Sequence, residues 1–390
     1  MVLLRAPNLL AGFILIGLAL SAADEARAQL QTPARQSVIL DYDTGEVLFC
    51  KECDVPMPPS SMAKLMTVEL VFQRIKDGRL SVDDTFRVSE FAWREQFRHP
   101  DVSLTWVAIN SDVTVDTLLK GIIVQSGGDA CIVVAEALGG SEEGFAQMQN
   151  RRAVELGLTN SNFVNSTGMP DPNEYMSALD IANLSAHIIR EYPVLYEYFA
   201  IPEFTWSDIR QFNRNRLLFM NMGADGLKTG HTAAAGYGIV ASAEQNGRRM
   251  IVVVNGMESE AARNNEAARL INFAFREFRT YQLVEAGDGV AEVEVWGGAR
   301  PTVPVTVTEP LRASMTPEAR AQMRVTLRYD GPVPAPIQAG QQIGMLTLSV
   351  PGRPDRTVRA VAAESVAQIG ILGRMWLGLR ALIASPGAQS

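Results

Sequence analysis

The spacing of apolar residues predicts alternating strands and helices over the first 280 residues. Four apolar runs predict two strand pairs. The first pair is residues 37–40 and 46–49, and the second is residues 236–243 and 249–254. The connecting segments, Asp43-Thr44-Gly45 and Asn246-Gly247, are typical of hairpin turns. Helical spacing is found in three stretches, which are residues 61–75, 110–200 and 258–278. Within the second stretch, Ser177 followed by Asp180 resembles a helix start.

The pattern changes near residue 281, where short alternating apolar runs begin. Glycine and proline turn signals separate these runs. The apolar positions are Val290, Val293, Val295, Val303, Val305, Val307, Val325, Leu327, Leu346 and Leu348. Several short strands at regular spacing predict a small all-β domain.

The first 28 residues have the features of a secretory signal. Arg5 supplies a positive charge, residues 9–20 are apolar, and Ala26-Arg27-Ala28 is a small-residue cleavage site. The apolar run is shorter than the ~20 residues that a membrane span needs, so cleavage is favoured over a membrane anchor. We therefore expect an exported, periplasmic chain that begins at Gln29.

Residues 364–383 carry apolar side chains at helical spacing along one face, flanked by Arg374 and Arg380. The segment is too short and too charged to span a bilayer. It could lie in the membrane interface with Trp376 at headgroup level, or it could dock on the protein's own surface. The interface is favoured because the segment is terminal and has no evident core to join. We expect peripheral attachment to the inner membrane.

Composition narrows the range of functions. The chain has 390 residues, 47% of them hydrophobic and 20% charged, which is ordinary for a globular protein. A net charge of −8 argues against a nucleic-acid partner. The three histidines have no metal-ligand spacing, and we expect neither a metal nor a cofactor. Only five of the 35 basic residues are lysines, which are Lys51, Lys64, Lys76, Lys120 and Lys228. A lysine can act as a base when it is desolvated, whereas an arginine cannot.

The three cysteines do not point to a catalytic thiol. Cys50 and Cys53 form a C-x-x-C motif outside any thioredoxin-like βαβ context, so a local disulfide or two unpaired thiols is favoured over a redox pair. Cys131 lies in an apolar stretch and is expected to be a buried small hydrophobe.

A serine and a lysine three residues apart form the first candidate site. If Ser61 opens the helix, Lys64 lies about 4.5 Å further along the axis on nearly the same face. A serine hydroxyl needs an adjacent base to become a nucleophile, and a desolvated lysine can be that base. By itself the pair is also explained by an N-cap serine and a surface lysine.

Two further motifs add the groups that such a site needs. Lys228-Thr229-Gly230 offers a second cation, a hydroxyl donor and a close backbone approach, and the His231 N–H could serve as an oxyanion donor. Ser126-Gly127-Gly128 at a helix boundary offers a hydroxyl that can relay a proton. In isolation the first could be an exposed turn and the second a glycine-rich cap.

The ordered set of S-x-x-K, S-G-x and K-T-G resembles the penicillin-recognising serine hydrolases. The flanking residues are similar to those of the D-alanyl-D-alanine carboxypeptidases, which are low-molecular-mass penicillin-binding proteins, over about residues 35–280. The resemblance implies an α/β fold of the α+β type, with an antiparallel sheet flanked by helices and a helical subdomain. We expect a peptidase domain over residues 29–280, a β domain over 281–362 and an amphipathic tail over 363–390.

The resemblance also implies roles for individual residues. Ser61 corresponds to the acylating nucleophile, Lys64 to its general base and Ser126 to a proton shuttle. The groups that would bind the substrate are Lys228, Thr229, Gly230, His231 and Arg263. A solvated helix charge is an equally weighted alternative for Arg263. The implied substrate is the peptidoglycan stem peptide, from which the terminal D-alanine is removed, and β-lactams are the implied covalent inhibitors.

One position departs from the family pattern. The middle motif usually ends in asparagine, and this chain has Gly128. The loss of one substrate hydrogen bond costs roughly 1–3 kcal/mol, so the departure bears on rate more than on reaction class. A β-lactamase or a DD-endopeptidase on the same core, and a non-catalytic peptidoglycan-binding protein, are the alternative hypotheses.

Overall fold

The structure is a computed structural model that describes residues 30–95, 102–371 and 373. The predicted signal, residues 1–28, lies outside the described residues, as does the part of the predicted tail that contains Arg374, Trp376 and Arg380. Among the described residues there is no helix with the length and apolar character to cross a membrane.

The described chain contains seventeen strands and nine α-helices. The strands are β1 (Gln36–Asp41), β2 (Val47–Lys51), β3 (Thr85–Arg87), β4 (Asp112–Thr114), β5 (Glu203–Trp206), β6 (Ile209–Phe212), β7 (Ala224–Thr232), β8 (Gly236–Gln245), β9 (Arg248–Met257), β10 (Arg279–Val284), β11 (Gly289–Trp296), β12 (Thr302–Val307), β13 (Leu311–Met315), β14 (Arg324–Tyr329), β15 (Val333–Pro334), β16 (Gln342–Ser349) and β17 (Arg356–Ala362). The helices are α1 (Lys64–Lys76), α2 (Glu90–Glu95), α3 (Val115–Lys120), α4 (Gly128–Gly139), α5 (Glu142–Glu155), α6 (Ala178–Glu191), α7 (Pro193–Tyr196), α8 (Glu260–Glu277) and α9 (Pro317–Gln322).

A five-stranded antiparallel sheet in the order β2-β1-β9-β8-β7 forms the centre of the first region. Both predicted hairpins are present, and Asn246 and Gly247 both have positive φ in the β8–β9 turn. Ile251 and Val253 on β9 pack in a cluster with α1, α4 and α6, and the alternate side chains face the side on which α8 lies. Burial on both faces explains the nearly unbroken apolar run in this strand.

The predicted helical stretches form helices that are interrupted by loops. Ser177 caps α6, as its Oγ accepts a hydrogen bond from Asp180 N at 3.0 Å. α4 ends at Gly139, and Gly140 follows with a left-handed φ of 76°. Residues 156–177, which the pattern placed in a largely helical stretch, contain loop and two isolated bridges, because their backbone groups bond to side chains as well as to each other.

The region after residue 278 is a β domain with apolar clusters of its own. It has a six-stranded sheet in the order β14-β16-β17-β12-β11-β15 and a separate pair, β10 with β13. The prediction of short strands is confirmed, and the short helix α9, capped by Thr316, is an addition to the expected all-β composition.

The start of the predicted tail belongs to this β domain. Val366 is buried at 2% exposure and forms a bridge with Ile337, and Gln368 pairs with Gly298. Ile369 N donates a hydrogen bond to Gly297 O at 2.9 Å. Residues 364–369 are thus non-helical chain docked on the β domain, in place of the helix expected from residue 364, because their backbone groups pair with residues Gly297, Gly298 and Ile337.

Cys50 and Cys53 form a disulfide, which decides between the two alternatives that the sequence left open. Within the described residues, the group of side chains spaced closely enough to hold a metal ion is Cys50, Cys53 and Asp54, and both of its sulfur atoms are in that bond. Cys131 is fully buried, as expected.

Candidate active site

A tight turn presents the first motif. Residues Ser60–Ala63 form a 3-10 helix that continues into α1 at Lys64. Lys64 Nζ donates a hydrogen bond to Ser61 Oγ at 2.8 Å and a second to Thr167 O at 2.6 Å. The expected hydroxyl–amine contact is therefore present.

The environment of Lys64 favours its neutral form. Its side chain is only 2% exposed, and burial lowers its pKa. Cys131, Asp129 and Glu174 act in the opposite direction, and Arg214 lowers the pKa further. A neutral amine in contact with a hydroxyl can accept its proton, which is what nucleophilic catalysis by serine requires.

Strand β7 brings the third motif to the nucleophile turn. β7 is an edge strand of the central sheet, and Ser60 Oγ lies 3.2 Å from Thr232 Oγ1. A Cβ on Gly230 would lie 3.0 Å from Ser60 Cβ and 3.3 Å from Ser61 N. Glycine at this position allows the strand to approach the turn this closely.

Lys228 is a buried residue of the same strand. Its Nζ donates a hydrogen bond to Thr229 O at 3.2 Å, and its side chain is 2% exposed. Burial, and then the charges of Lys64 and Arg214, hold its pKa well below the usual value. The charge of Lys64 therefore disfavours the charged form of Lys228.

The second motif lies where a π-helix meets α4. Ser126 follows the π-helix Gly121–Gln125 and has a left-handed φ of 68°, which is uncommon for serine. It is 4% exposed. Gly127 separates it from the first residue of α4.

A cavity of about 550 Å³ joins the three motifs. The predicted site residues that line it are Ser61, Lys64, Ser126, Thr229, Gly230, His231 and Arg263. Lys228 is the predicted site residue that does not line it. Arg263 is 4% exposed, with Nη2 3.3 Å from Glu260 Oε1, so it is a buried wall residue and not a solvated charge.

Three arginines that sequence reasoning left out of the site also line this cavity: Arg210, Arg214 and Arg216. Arg214 Nε donates to Gln125 O at 3.1 Å, next to Ser126. The available signal was the polar segment Asn213-Arg214-Asn215, which no spacing connects with the other motifs.

The surroundings of Gly128 explain its lack of a side chain. A Cβ at this position would lie 2.6 Å from Val102 Cγ1. The residues that follow Val102 are held beside α4, because Gly128 N donates a hydrogen bond to Ser103 O and the buried Asp129 carboxylate accepts hydrogen bonds from the amides of Thr105, Trp106 and Val107. Val102 thus fills space beside Gly128 that a side chain at residue 128 would need.

Comparison with known proteins places these features in context. The family model described as D-alanyl-D-alanine carboxypeptidase matches residues 22–259, and the model described as penicillin-binding protein 5, C-terminal domain, matches residues 278–368. The chain is 34% identical to D-alanyl-D-alanine carboxypeptidase DacA of Haemophilus influenzae over 351 residues, which cover 89% of this chain and 88% of that protein. It is 32% identical to DacF of Bacillus subtilis over 94% of this chain and 95% of that protein.

The same similarity is found among solved structures. Penicillin-binding protein 5 from Haemophilus influenzae matches with a TM-score of 0.77 and 32% identity, over 87% of this chain and 99% of that chain.

Proposed function

The chain belongs to the D-alanyl-D-alanine carboxypeptidase family of serine hydrolases, and on that premise we propose that Ser61, Lys64 and Ser126 are its catalytic residues. The observation that carries this proposal is the 2.8 Å contact between a buried lysine amine and Ser61 Oγ inside a cavity that Ser126 also lines. The proposed reaction is hydrolysis of the bond between the two terminal D-alanines of a peptidoglycan stem peptide.

Acylation begins with proton transfer. Neutral Lys64 takes the proton of Ser61 as Oγ bonds to the carbonyl carbon of the penultimate D-alanine. Backbone N–H groups at Ser61 and His231 stabilise the resulting oxyanion. The carbon–nitrogen bond then breaks, and Ser126 relays the proton from Lys64 to the departing amine of D-alanine.

Deacylation uses the same groups in reverse. Water attacks the ester carbon, Lys64 takes its proton, and Ser61 Oγ leaves as the hydroxyl. A β-lactam can acylate Ser61 in the same way, because it presents a strained amide and a carboxylate together.

The wall beside β7 binds the terminal carboxylate in this proposal. Thr229 offers a hydroxyl donor and Arg263 a guanidinium, while Gly230 and His231 form the adjoining edge. Lys228, which is buried in the same strand, supplies a further cation for that carboxylate, and its charge is coupled to that of Lys64. Arg214, which lines the same cavity, adds a further donor.

Labelling with a fluorescent penicillin tests the nucleophile. We expect wild type and Ser60→Ala to form a stable adduct and Ser61→Ala to form none, because the neighbouring serine lacks the contact with Lys64. D-alanine release from a synthetic pentapeptide should follow the labelling. Equal labelling of Ser61→Ala and wild type would falsify the assignment.

We also propose the organisation of the whole chain. Residues 1–28 direct export to the periplasm and are removed, residues 29–280 form the peptidase domain, and residues 281–362 form most of the β domain. Because residues 364–369 pair with that domain, the segment that contacts the inner membrane begins at about residue 370. Its apolar face and flanking arginines support peripheral attachment.

A further inference from the structure

The second hydrogen bond of Lys64 leads to a loop outside the three motifs. We refer to residues 164–169 as the anchor loop, because Thr167 O accepts a hydrogen bond from Lys64 Nζ at 2.6 Å. Gly168, with a φ of +72°, lies so close to the nucleophile turn that a Cβ there would meet Ser60 O at 2.0 Å. The position of this loop therefore fixes where the lysine amine points.

Two carboxylates that the proposed mechanism does not use hold the anchor loop. Glu142, from the first turn of α5, accepts hydrogen bonds from Ser166 N at 2.9 Å and Ser166 Oγ at 2.8 Å. Glu174 Oε2 accepts from Val164 N at 2.7 Å and from Asn165 N at 3.3 Å.

Within the loop, Asn165 completes the arrangement. Its Oδ1 accepts hydrogen bonds from Thr167 N at 3.1 Å and from Met169 N at 3.0 Å. A displacement of Asn165 would therefore reach the Thr167 carbonyl directly.

One side of the anchor loop borders open space among the described residues. It faces a second cavity of about 300 Å³, which is lined by Glu142, Val164, Asn165, Thr167 and Met169 among others. On this side, hydrogen bonds to the two carboxylates add restraint to the packing of the buried Ser166 and Thr167.

We propose that Glu142 and Glu174 are positioning residues for the general base, which hold the Thr167 carbonyl at the place that directs Lys64 Nζ toward Ser61. This inference rests on the proposed function, since it concerns the base of that reaction. Glu174 also adjusts the charge of Lys64, because it is a buried carboxylate whose field reaches the amine.

The charges around Lys64 define the expected direction of that effect. The titratable and charged groups around Lys64 come from several elements. They are Asp129 and Cys131 from α4, Glu142 from α5, Glu174 from the loop before α6, Arg214 from the segment after β6, and Lys228 from β7. Burial raises the pKa of Glu174 to about 7, with Asp171 adding to the rise. An ionised Glu174 raises the pKa of Lys64, so its removal should lower that pKa and leave more neutral amine at a given pH.

Glu174→Gln removes the charge of this side chain and keeps its shape, so it separates the electrostatic effect on Lys64 from the hydrogen bonds to the anchor loop. Its amide oxygen can accept the hydrogen bonds from the loop, and its NH₂ group takes the place of Oε1, which is buried without a partner among the described atoms. Glu174→Ala removes the hydrogen bonds as well. Glu142→Gln is the corresponding conservative change on α5, and Glu266→Gln, a buried carboxylate on α8 paired with Arg269, is the matched control.

The test is the second-order rate of acylation by a fluorescent penicillin, measured on the full chain between pH 5 and 10. We expect Glu174→Gln to keep a plateau rate within about twofold of wild type and to shift the acid limb to lower pH by about 0.5–1 unit. Glu174→Ala should lose at least tenfold in plateau rate. Glu142→Gln should retain most of the plateau rate. Glu266→Gln should match wild type in both the plateau rate and the pH profile.

The outcomes separate this inference from the proposed function. If wild type is labelled at Ser61 but Glu174→Gln gives an unchanged pH profile and Glu174→Ala keeps the wild-type rate, the positioning role is wrong while the proposed function stands. If wild type itself is not labelled at Ser61, the proposed function fails first. Thermal unfolding of each variant identifies any loss of rate that comes from unfolding, and Glu174→Gln remains decisive if Glu174→Ala does not fold.

Discussion

Lys64 and Lys228 are two buried amines among five lysines in the chain, and each has a pKa below that of an ordinary lysine. Burial lowers the pKa of both, and for Lys228 the charge of Lys64 lowers it further. The unfolded chain binds protons at these positions up to about pH 10.4. Both lysines therefore cost stability below that pH, and the cost decreases as pH rises toward it.

Replacement of Lys228 by methionine should stabilise the chain while it reduces activity. A neutral side chain of similar length removes the desolvation cost, so we expect the free energy of unfolding to rise by about 1–2 kcal/mol at pH 7. The gain should shrink toward pH 10, where the unfolded chain no longer takes up the proton. Chemical denaturation at several pH values measures both effects.

The control for this prediction is Lys76→Met. Lys76 is exposed and paired with Glu191 on the surface, so its replacement should change stability little at any pH. A loss of stability in Lys228→Met at neutral pH would contradict the desolvation argument.

The segment Val102–Val107 and the start of α4 form a matched pair of elements. Asp129 holds the segment through three backbone amides, and Val102 then fills the space beside Gly128. The glycine at position 128, where the family usually has asparagine, therefore depends on Val102 as well. We expect that a substitution at residue 128 alone does not restore the family's arrangement.

Gly128→Asn should destabilise the chain on its own and recover in combination with Val102→Ala. We expect the single change to cost about 1–3 kcal/mol, because the new Cβ overlaps Val102 Cγ1. In the Val102→Ala background the asparagine fits, and D-alanine release should rise about tenfold over Val102→Ala alone, as one substrate hydrogen bond is restored. A double-mutant cycle on stability and rate measures the coupling. Strictly additive effects would show that Val102 is not the obstacle.

The sequence predicted those parts of the site that depend on local spacing. Ser61 and Lys64 are one helical turn apart, and the β8–β9 hairpin follows from Asn246-Gly247, so these features could be inferred directly. The edge position of β7, the lining role of Arg214 and the anchor loop depend on contacts between distant segments. Glu142 lies 24 residues before Ser166 and carries no motif, so no pattern in the chain connects it with Lys64.

The sequence predicted the all-β class of the second domain, but it did not predict the residue at which that domain ends. Valine alternation indicated the strands, whereas helical spacing from Val366 onward suggested a tail that begins near residue 363. Val366 is buried against the sheet because its backbone pairs with Ile337. A period drawn from a few apolar residues cannot distinguish an edge segment from a short helix.

Truncation after residue 371 tests the proposed attachment of the tail to the membrane. We expect chains lacking residues 372–390 to move from the membrane fraction to the soluble periplasmic fraction, with an unchanged rate of penicillin acylation, because the paired segment 364–369 stays in place. A shorter chain that ends at residue 363 should lose stability as well, since it lacks the buried Val366. Retention of the 371-residue chain on the membrane would contradict attachment through the tail.

Side-chain contacts join the β domain to the hairpin at the end of the central sheet. Ser314 Oγ of the β domain donates to the buried Asp41 Oδ2 at 2.6 Å, and Arg356 pairs with Glu46 at 3.0 Å. Asp41 Oδ1 also accepts from the amides of Asp43 and Thr44, so the same side chain shapes the hairpin at the end of the central sheet. If the proposed tail attachment holds, a β domain joined to the sheet by these contacts acts as a rigid strut, and we expect it to keep the cavity at a constant height above the membrane.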